Sequence, residues 1–270
     1  MRLAVMCLLV ACSDSGAGST DGAVSDGVTD APATDATIDA DPSCAVSDDF
    51  AGASLGSCWT VMNGGGTPIV EIAQAGGALH LRAISGADRR WYNGGTGSLV
   101  YQNVTAWNFK VTTTVHPRKR TDLNAAPTID LHLGGLMLRD PSSQGSTTEN
   151  YVMLMAGSNE FSQPSIEIKS TTDGFSVWAE PVWATPLVAE LRMCRLHEEI
   201  YLYKRAPAGT WVLANQLDQA APVTRPDLPE TLQVGVTLNF GGAPTDLDVA
   251  FDAITMSPTA PASVADCTTD

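Results

Sequence analysis

The sequence predicts an all-β fold, two antiparallel sheets packed face to face as a β-sandwich, over residues 44–270. Three observations lead there. Alternation with a period of two recurs along the chain, as in Phe109-Lys110-Val111-Thr112-Thr113-Thr114-Val115-His116, where every second residue is apolar or Thr. Clusters of Gly, Pro, Asn and Asp such as "NGGGTP", "NGGTG" and "RAPAGT" punctuate the apolar runs at short intervals. Long stretches with helical periodicity are missing, and no internal repeat of fixed period is present.

The chain opens with Arg2 followed by the apolar run Leu3 to Ala11. Nine helical residues span about 14 Å against about 30 Å of bilayer hydrocarbon, too short to cross. A charged start, a short apolar stretch and small residues before a cut read as a signal peptide, residues 1–11. No later segment is long and apolar enough to span a membrane.

Leu9-Val10-Ala11-Cys12 resembles the bacterial lipoprotein lipobox, Leu-x-small-Cys. The resemblance implies cleavage before Cys12 and acylation of its thiol, with Cys12 becoming the lipidated N-terminus. Several acyl chains, at about 0.8 kcal/mol per buried methylene, give lasting attachment where one would not. The alternatives are an ordinary secretory signal carrying a chance cysteine and a wrongly chosen start codon. Ser13 after the lipid site fits export to the outer membrane, so the expected location is the bacterial cell envelope.

Residues 12–43 continue as a tether built almost wholly from Asp, Ser, Gly, Ala, Thr and Val, with seven Asp and no aromatic residue. Such a composition cannot bury enough apolar surface to offset its ordering entropy, which predicts disorder. As a flexible chain its r.m.s. reach is about 30 Å. No D-x-[DN]-x-[DN]-G calcium loop with a distal Glu is present.

Of the formal charge of −15, seven negative charges lie in the tether and one positive at Arg2, leaving −9 for residues 44–270. That balance argues against nucleic acid or anionic lipid as a partner. Strands are expected at 58–62, 79–82, 98–103, 109–116, 129–139, 150–156, 165–169, 174–180, 188–196, 199–205, 210–217, 232–240 and 247–256. "YKRAPAGTW" is read as a hairpin joining 199–205 to 210–217.

In order along the chain stand "SDDFAGASLGSCWTV", "GALHLRA", "GSLVYQNV", "GGLMLRD", "ENYVMLM", "IEIKSTTDG", "AELRMCRLHEEIYLYKRAPAGTW" and "VAFDAITM". This series resembles a concanavalin A-like lectin/glucanase jelly roll, and most closely the accessory domain that follows the catalytic domain in family 43 β-xylosidases. It covers nearly all of 46–256. The resemblance implies a jelly roll with a concave sheet face. It says less about function, which belongs to sites rather than folds.

Four cysteines remain beyond Cys12, namely Cys44, Cys58, Cys194 and Cys267, and four allow three connectivities. In the fold resembled, first and last strands lie close together, which implies Cys44–Cys267 and leaves Cys58–Cys194. None lies in a CxxC, and the four histidines have no zinc spacing.

Hydrolysis on this fold needs paired carboxylates, about 5–5.5 Å apart for retention. The jelly-roll glucanases supply them from a strand reading Glu-x-Asp-x-(x)-Glu, which this sequence lacks. Asp130 stands alone and Glu167 lies beside Lys169. Some lyases of this fold use Arg-x-Glu-Leu-Arg, Gln-x-His and Tyr-Phe-Lys strands. "AELRMCR", "DLHL" and "YLYK" echo these in the wrong order, and no nucleophile elbow or phosphate loop appears. No catalytic residue is therefore assigned.

Sugar sites pair aromatic rings with polar groups that reach hydroxyls. Trp91 and Tyr92 in a Gly-rich loop, Trp183 near Pro181, and Arg139 and Tyr151 on neighbouring strands are the candidate binding residues. Gly-rich loops around 93–97 and 144–146 are expected to rim the groove. Replacing Trp91 and Tyr92 is expected to abolish binding with little effect on stability. Trp107, Trp178 and Trp211 are expected in the inter-sheet core. No cofactor is required; Asp48, Asp49 and Asp252 are the candidates for a structural calcium. The expected function is a lipid-anchored module binding a polysaccharide without catalysis. A glycan-active enzyme with an unrecognised carboxylate site and a structural envelope protein are the alternatives.

Overall fold

A computed structural model describes residues 44–63, 68–84, 91–93, 97–143, 148–184, 187–214, 222–241, 245–257 and 259–270. The signal segment 1–11, Cys12 and the tether to residue 43 lie outside the described residues. So do residues 94–96 and 144–146 of the expected rim loops, and residues 215–217 of the expected strand 210–217.

The described residues form β1 (Thr60–Asn63), β2 (Val70–Ala75), β3 (Ala78–Ala83), β4 (Ser98–Thr105) and β5 (Asn108–Arg118). There follow β6 (His132–Arg139), β7 (Tyr151–Ser158), β8 (Pro164–Thr172), β9 (Phe175–Ala179) and β10 (Ala189–Leu196). The last are β11 (Glu199–Arg205), β12 (Val212–Leu213), β13 (Val223–Thr224), β14 (Thr231–Asn239) and β15 (Asp248–Met256). A short 3-10 turn follows at Asp266–Thr268.

One sheet has the order β1-β4-β14-β6-β7-β8-β9, the other β12-β11-β10-β5-β15-β3-β2 with β13 paired to β11. Every strand pair is antiparallel. This is the two-sheet antiparallel sandwich that the alternation predicts.

The inner faces meet in one continuous core. Leu136, Leu138, Val152, Leu154, Ile166 and Ile168 come from one sheet, and Leu79, Val111, Leu191, Val249 and Phe251 from the other. The sheets approach closely at Gly134, where an added Cβ would fall 2.4 Å from the Val249 side chain. The hairpin of β11 and β12 forms as expected. The weakly apolar strand β2 (VEIAQA) was not expected; it pairs with β3 along its whole length.

The tryptophans depart from expectation. Trp107 and Trp178 are 40% and 42% exposed rather than in the core. Trp211 is buried, but on the outer face of the second sheet, with Cys194, Tyr201, Tyr203 and Cys267.

The disulfide pairing is also corrected. The bridges are Cys44–Cys58 and Cys194–Cys267, with Cα separations of 5.3 and 5.7 Å. The first and last strands fall in different sheets, and only the segment before β1 reaches β15, through the bridge of Asp48 to Ile254. Beyond β15, however, the chain turns back across the second sheet. The Lys110 ammonium donates to the carbonyls of Asp266 and Thr269, and the Arg192 guanidinium to those of Cys267 and Thr269. This path sets Cys267 against β10 and leaves Cys44 to close a local loop with Cys58.

Candidate functional site

The register of the seven-stranded sheet fixes its outer face. Since Leu136, Leu138, Leu154 and Ile168 point inward, their neighbours point outward. Pairing sets Thr237, Gly135, Met155 and Glu167 in one row across β14, β6, β7 and β8. The next row runs Gly235, Met137, Met153, Lys169 and Trp178, ending on β9. A third runs Gln233, Arg139, Tyr151, Thr171 and Ser176.

The middle of this face is filled. Trp91 is fully buried among Leu99, Leu133, Met137, Tyr151, Met153 and Met155. Its indole Nε1 donates to Thr237 Oγ1 at 2.7 Å, and its backbone N–H to Asn239 Oδ1 at 3.0 Å. Gly97 makes room for it, because a Cβ there would lie 2.5 Å from the indole nitrogen. Tyr151 packs edge-on against Trp91 at 5.6 Å and is itself fully buried, which pushes its phenol pKa well up.

The candidate binding residues therefore separate. Trp91 and Tyr151 form a second core rather than a sugar platform. Arg139 is buried and committed: its Nε and Nη2 donate to Glu149 at 2.9 and 2.8 Å, and its Nη1 to Gln233 at 2.6 Å. Trp183 packs against the inter-sheet core with the Lys204 ammonium 4.9 Å over its ring, on the other side of the sheet. Of the five, Tyr92 is the one presented to solvent on this face, at 42% exposure.

Tyr92 has a partner that sequence reasoning missed. The Trp178 ring meets it edge-to-face at 5.3 Å. The two lie at the β9 edge, where Trp178 also lines a cavity of about 320 Å³ with Asn159, Glu160, Phe161, Gln163 and Glu180. Alternation along Phe175–Ala179 already set Trp178 on the opposite face from Val177. What the sequence could not show is that the cover over this face stops short of β9.

Under the aromatics lies a pair of carboxyl groups. The β8–β9 register places Glu180, one residue past β9, opposite Glu167. Glu167 Oε1 pairs with the Lys169 ammonium at 2.9 Å, and that ammonium also donates to the Trp91 carbonyl at 2.8 Å. Glu180 Oε2 accepts from the Glu160 backbone N–H at 3.3 Å. Glu167 Oε2 and Glu180 Oε1 are buried with no protein donor. One proton shared between them would satisfy both facing acceptors. Burial, and then contact with Glu167, push the Glu180 carboxyl up to about 7.

A larger cavity, about 800 Å³, lies on the second sheet under the chain's final residues. Arg192, Arg205 and Trp211 all donate to the Asp270 carboxylate, holding it well below the usual carboxylate range. The cavity's guanidinium groups are tied to Asp270 and its Lys110 ammonium to the carbonyls of Asp266 and Thr269, contacts that fasten the tail. The calcium candidates do not converge either. Asp48 accepts from Phe50 N and Trp59 Nε1, Asp49 from Ala51 N, and Asp252 pairs with His116.

Known structures share this architecture. The GH43 BlXynB protein from Bacillus licheniformis matches with a TM-score of 0.56 at 15% identity, over 78% of this chain and 38% of that one. The xylan β-1,4-xylosidase from Bacillus halodurans C-125 matches at 0.54 and 17%, over 78% and 38%. Lectin I-B4 from Griffonia simplicifolia, in its metal-free form, matches at 0.50 and 15%, over 78% and 98%. The fold is a concanavalin A-like jelly roll. No protein-family model matches the sequence, and no curated protein sequence does. The jelly roll described here spans a little over a third of the two Bacillus chains, and identities of 15–17% carry architecture alone.

Proposed function

We propose that this chain is a lipid-anchored carbohydrate-binding module that holds an extended glycan along the β9 rim of its seven-stranded sheet, without turnover. The observation that carries this reading is the Tyr92–Trp178 pair. Two solvent-facing rings in contact stand beside a cavity lined by Asn159, Gln163 and Glu180. Apolar C–H faces of a sugar stack on such rings while amide and carboxyl groups take its hydroxyls. An open rim of this kind suits several weak contacts with a polymer more than deep capture of a small molecule. The occurrence of the fold in a xylosidase and a lectin supports a carbohydrate ligand.

The carboxyl geometry supports binding over hydrolysis. Glycosidases separate their two carboxyl groups by about 5–5.5 Å or about 6.5–9.5 Å so that the scissile bond lies between them. Glu167 and Glu180 instead stand directly opposite each other on neighbouring chain segments, and Trp91 fills the centre of the face where a polymer would cross. One observation favours the enzyme reading: Glu180 holds a proton near neutral pH, as a general acid does. Attachment through Cys12 and a tether of about 30 Å reach gives avidity to weak sites displayed on one surface.

The test is a glycan array probed with the full chain, followed by a reducing-sugar release assay on each glycan bound. Binding without release is expected. Release that stops in Glu180→Gln establishes the enzyme reading, and no binding to any glycan removes both.

A further inference from the structure

The cavity beside Trp178 is acidic, with no basic side chain among its described lining residues. Glu160 and Glu180 line it together with Asn159, Gln163 and the rings of Trp178 and Phe161. Behind Glu180 stands Glu167, fully buried, whose Oε2 has no protein donor. Lys169, the cation nearest this pair along β8, is already used by Glu167 Oε1 and the Trp91 carbonyl. The carboxylates of Glu160 and Glu167 both disfavour ionisation of Glu180. A proton answers the Glu167–Glu180 contact but brings no positive charge to the exposed Glu160 carboxylate on the cavity wall.

A ligand ammonium would do more. It brings three N–H donors and a full positive charge to Glu180 and Glu160. It would also lie near the faces of Trp178 and Phe161, 42% and 70% exposed, where a cation is attracted to the ring quadrupole. A sugar hydroxyl can hydrogen-bond but cannot neutralise the pair, and a uronic acid would be repelled. The excess negative charge of residues 44–270 favours approach of a polycation. We infer that the cavity takes the ammonium of an amino sugar, so that the glycan recognised is a de-N-acetylated, cationic polysaccharide. This rests on the carbohydrate-binding reading above and narrows its ligand class.

The test is calorimetry with the full chain at neutral pH and about 0.15 M salt, where long-range attraction is screened. The probes are a fully de-N-acetylated chitin hexamer, the fully N-acetylated hexamer and a neutral glucan hexamer. About tenfold tighter binding of the de-N-acetylated hexamer than of the acetylated one is expected. Glu180→Gln and, as a second variant on an exposed turn, Glu160→Gln should each move that ratio toward one. Equal or tighter binding of an uncharged hexamer overturns the inference and leaves the carbohydrate reading intact. Binding of none of the three overturns the inference too, and the array then decides the wider reading. A preference that survives both substitutions also overturns it, because the attraction would then come from the chain's overall charge.

Discussion

Glu167 on β8 and Glu180 just beyond β9 face each other at the rim of the seven-stranded sheet, each with one buried carboxyl oxygen that no protein donor reaches. Like charges directly opposed on neighbouring strands destabilise a sheet, by up to about 1 kcal/mol. Here burial and that opposition hold a proton on Glu180 until about pH 7, against an ordinary value of 4.5. Between those two values the folded chain keeps a proton that the unfolded chain has lost. The pair's contribution to stability is therefore present below about 4.5 and lost as pH rises toward 7. Glu180→Gln supplies an uncharged donor to Glu167 at every pH. Its melting temperature should exceed that of the wild type by about 2–4 °C at pH 8, with the gap closing toward pH 5. A gap independent of pH would show that the two carboxyls do not share a proton.

Trp91 and Tyr92 are neighbours in sequence and opposites in role. Trp91 is wholly enclosed and hydrogen-bonded, so Trp91→Ala should cost about 3–5 kcal/mol and lower the melting temperature by roughly 10 °C. Tyr92→Ala should change it by no more than about 2 °C while weakening glycan binding. Thermal denaturation of the two single variants separates these roles. A stable Trp91→Ala variant would return that ring to the loop surface.

The bridges close loops of very different length, 14 residues for Cys44–Cys58 and 73 for Cys194–Cys267. Chain entropy alone gives upper figures of roughly 3 and roughly 4 kcal/mol. Replacing both members of the second pair with Ser should therefore lower the melting temperature more, and it should also free the tail held by Arg192. Non-reducing peptide mapping should recover the two bridged peptides and no Cys44–Cys267 peptide.

The anchor is tested at the N-terminus. Mass spectrometry of the protein from its native membrane fraction should find an acylated Cys12 as the first residue, and Cys12→Ala should abolish membrane retention. An unmodified N-terminus would contradict the lipoprotein reading.

Much of the sandwich was legible because alternation is a local property. "FKVTTTVH" (β5) and "IEIKSTT" (β8) show which residues share a face without any knowledge of their neighbours. What alternation cannot show is which face finds cover. Trp91 in a Gly-rich loop looks like a displayed aromatic until the Leu133, Met137, Met153 and Met155 surface is assembled beneath it and accepts it. Trp178 in an apolar strand looks like core until β9 proves to be an edge. Glu180 escaped notice for a related reason: its partner Glu167 is thirteen positions away and meets it through a hairpin register. The disulfides failed on path rather than pairing logic, because the tail's crossing of the second sheet leaves no mark in "SPTAPASVADC".

The Tyr92–Trp178 rim is proposed to bind glycan and to do nothing else to it. Its most direct test is a calorimetric titration of Trp178→Ala against the wild type, with a glycan identified on the array and melting temperatures in parallel. At least about tenfold weaker binding is expected, with the melting temperature within about 3 °C of the wild type and no sugar released by either protein. Undiminished affinity in a folded Trp178→Ala variant would contradict it.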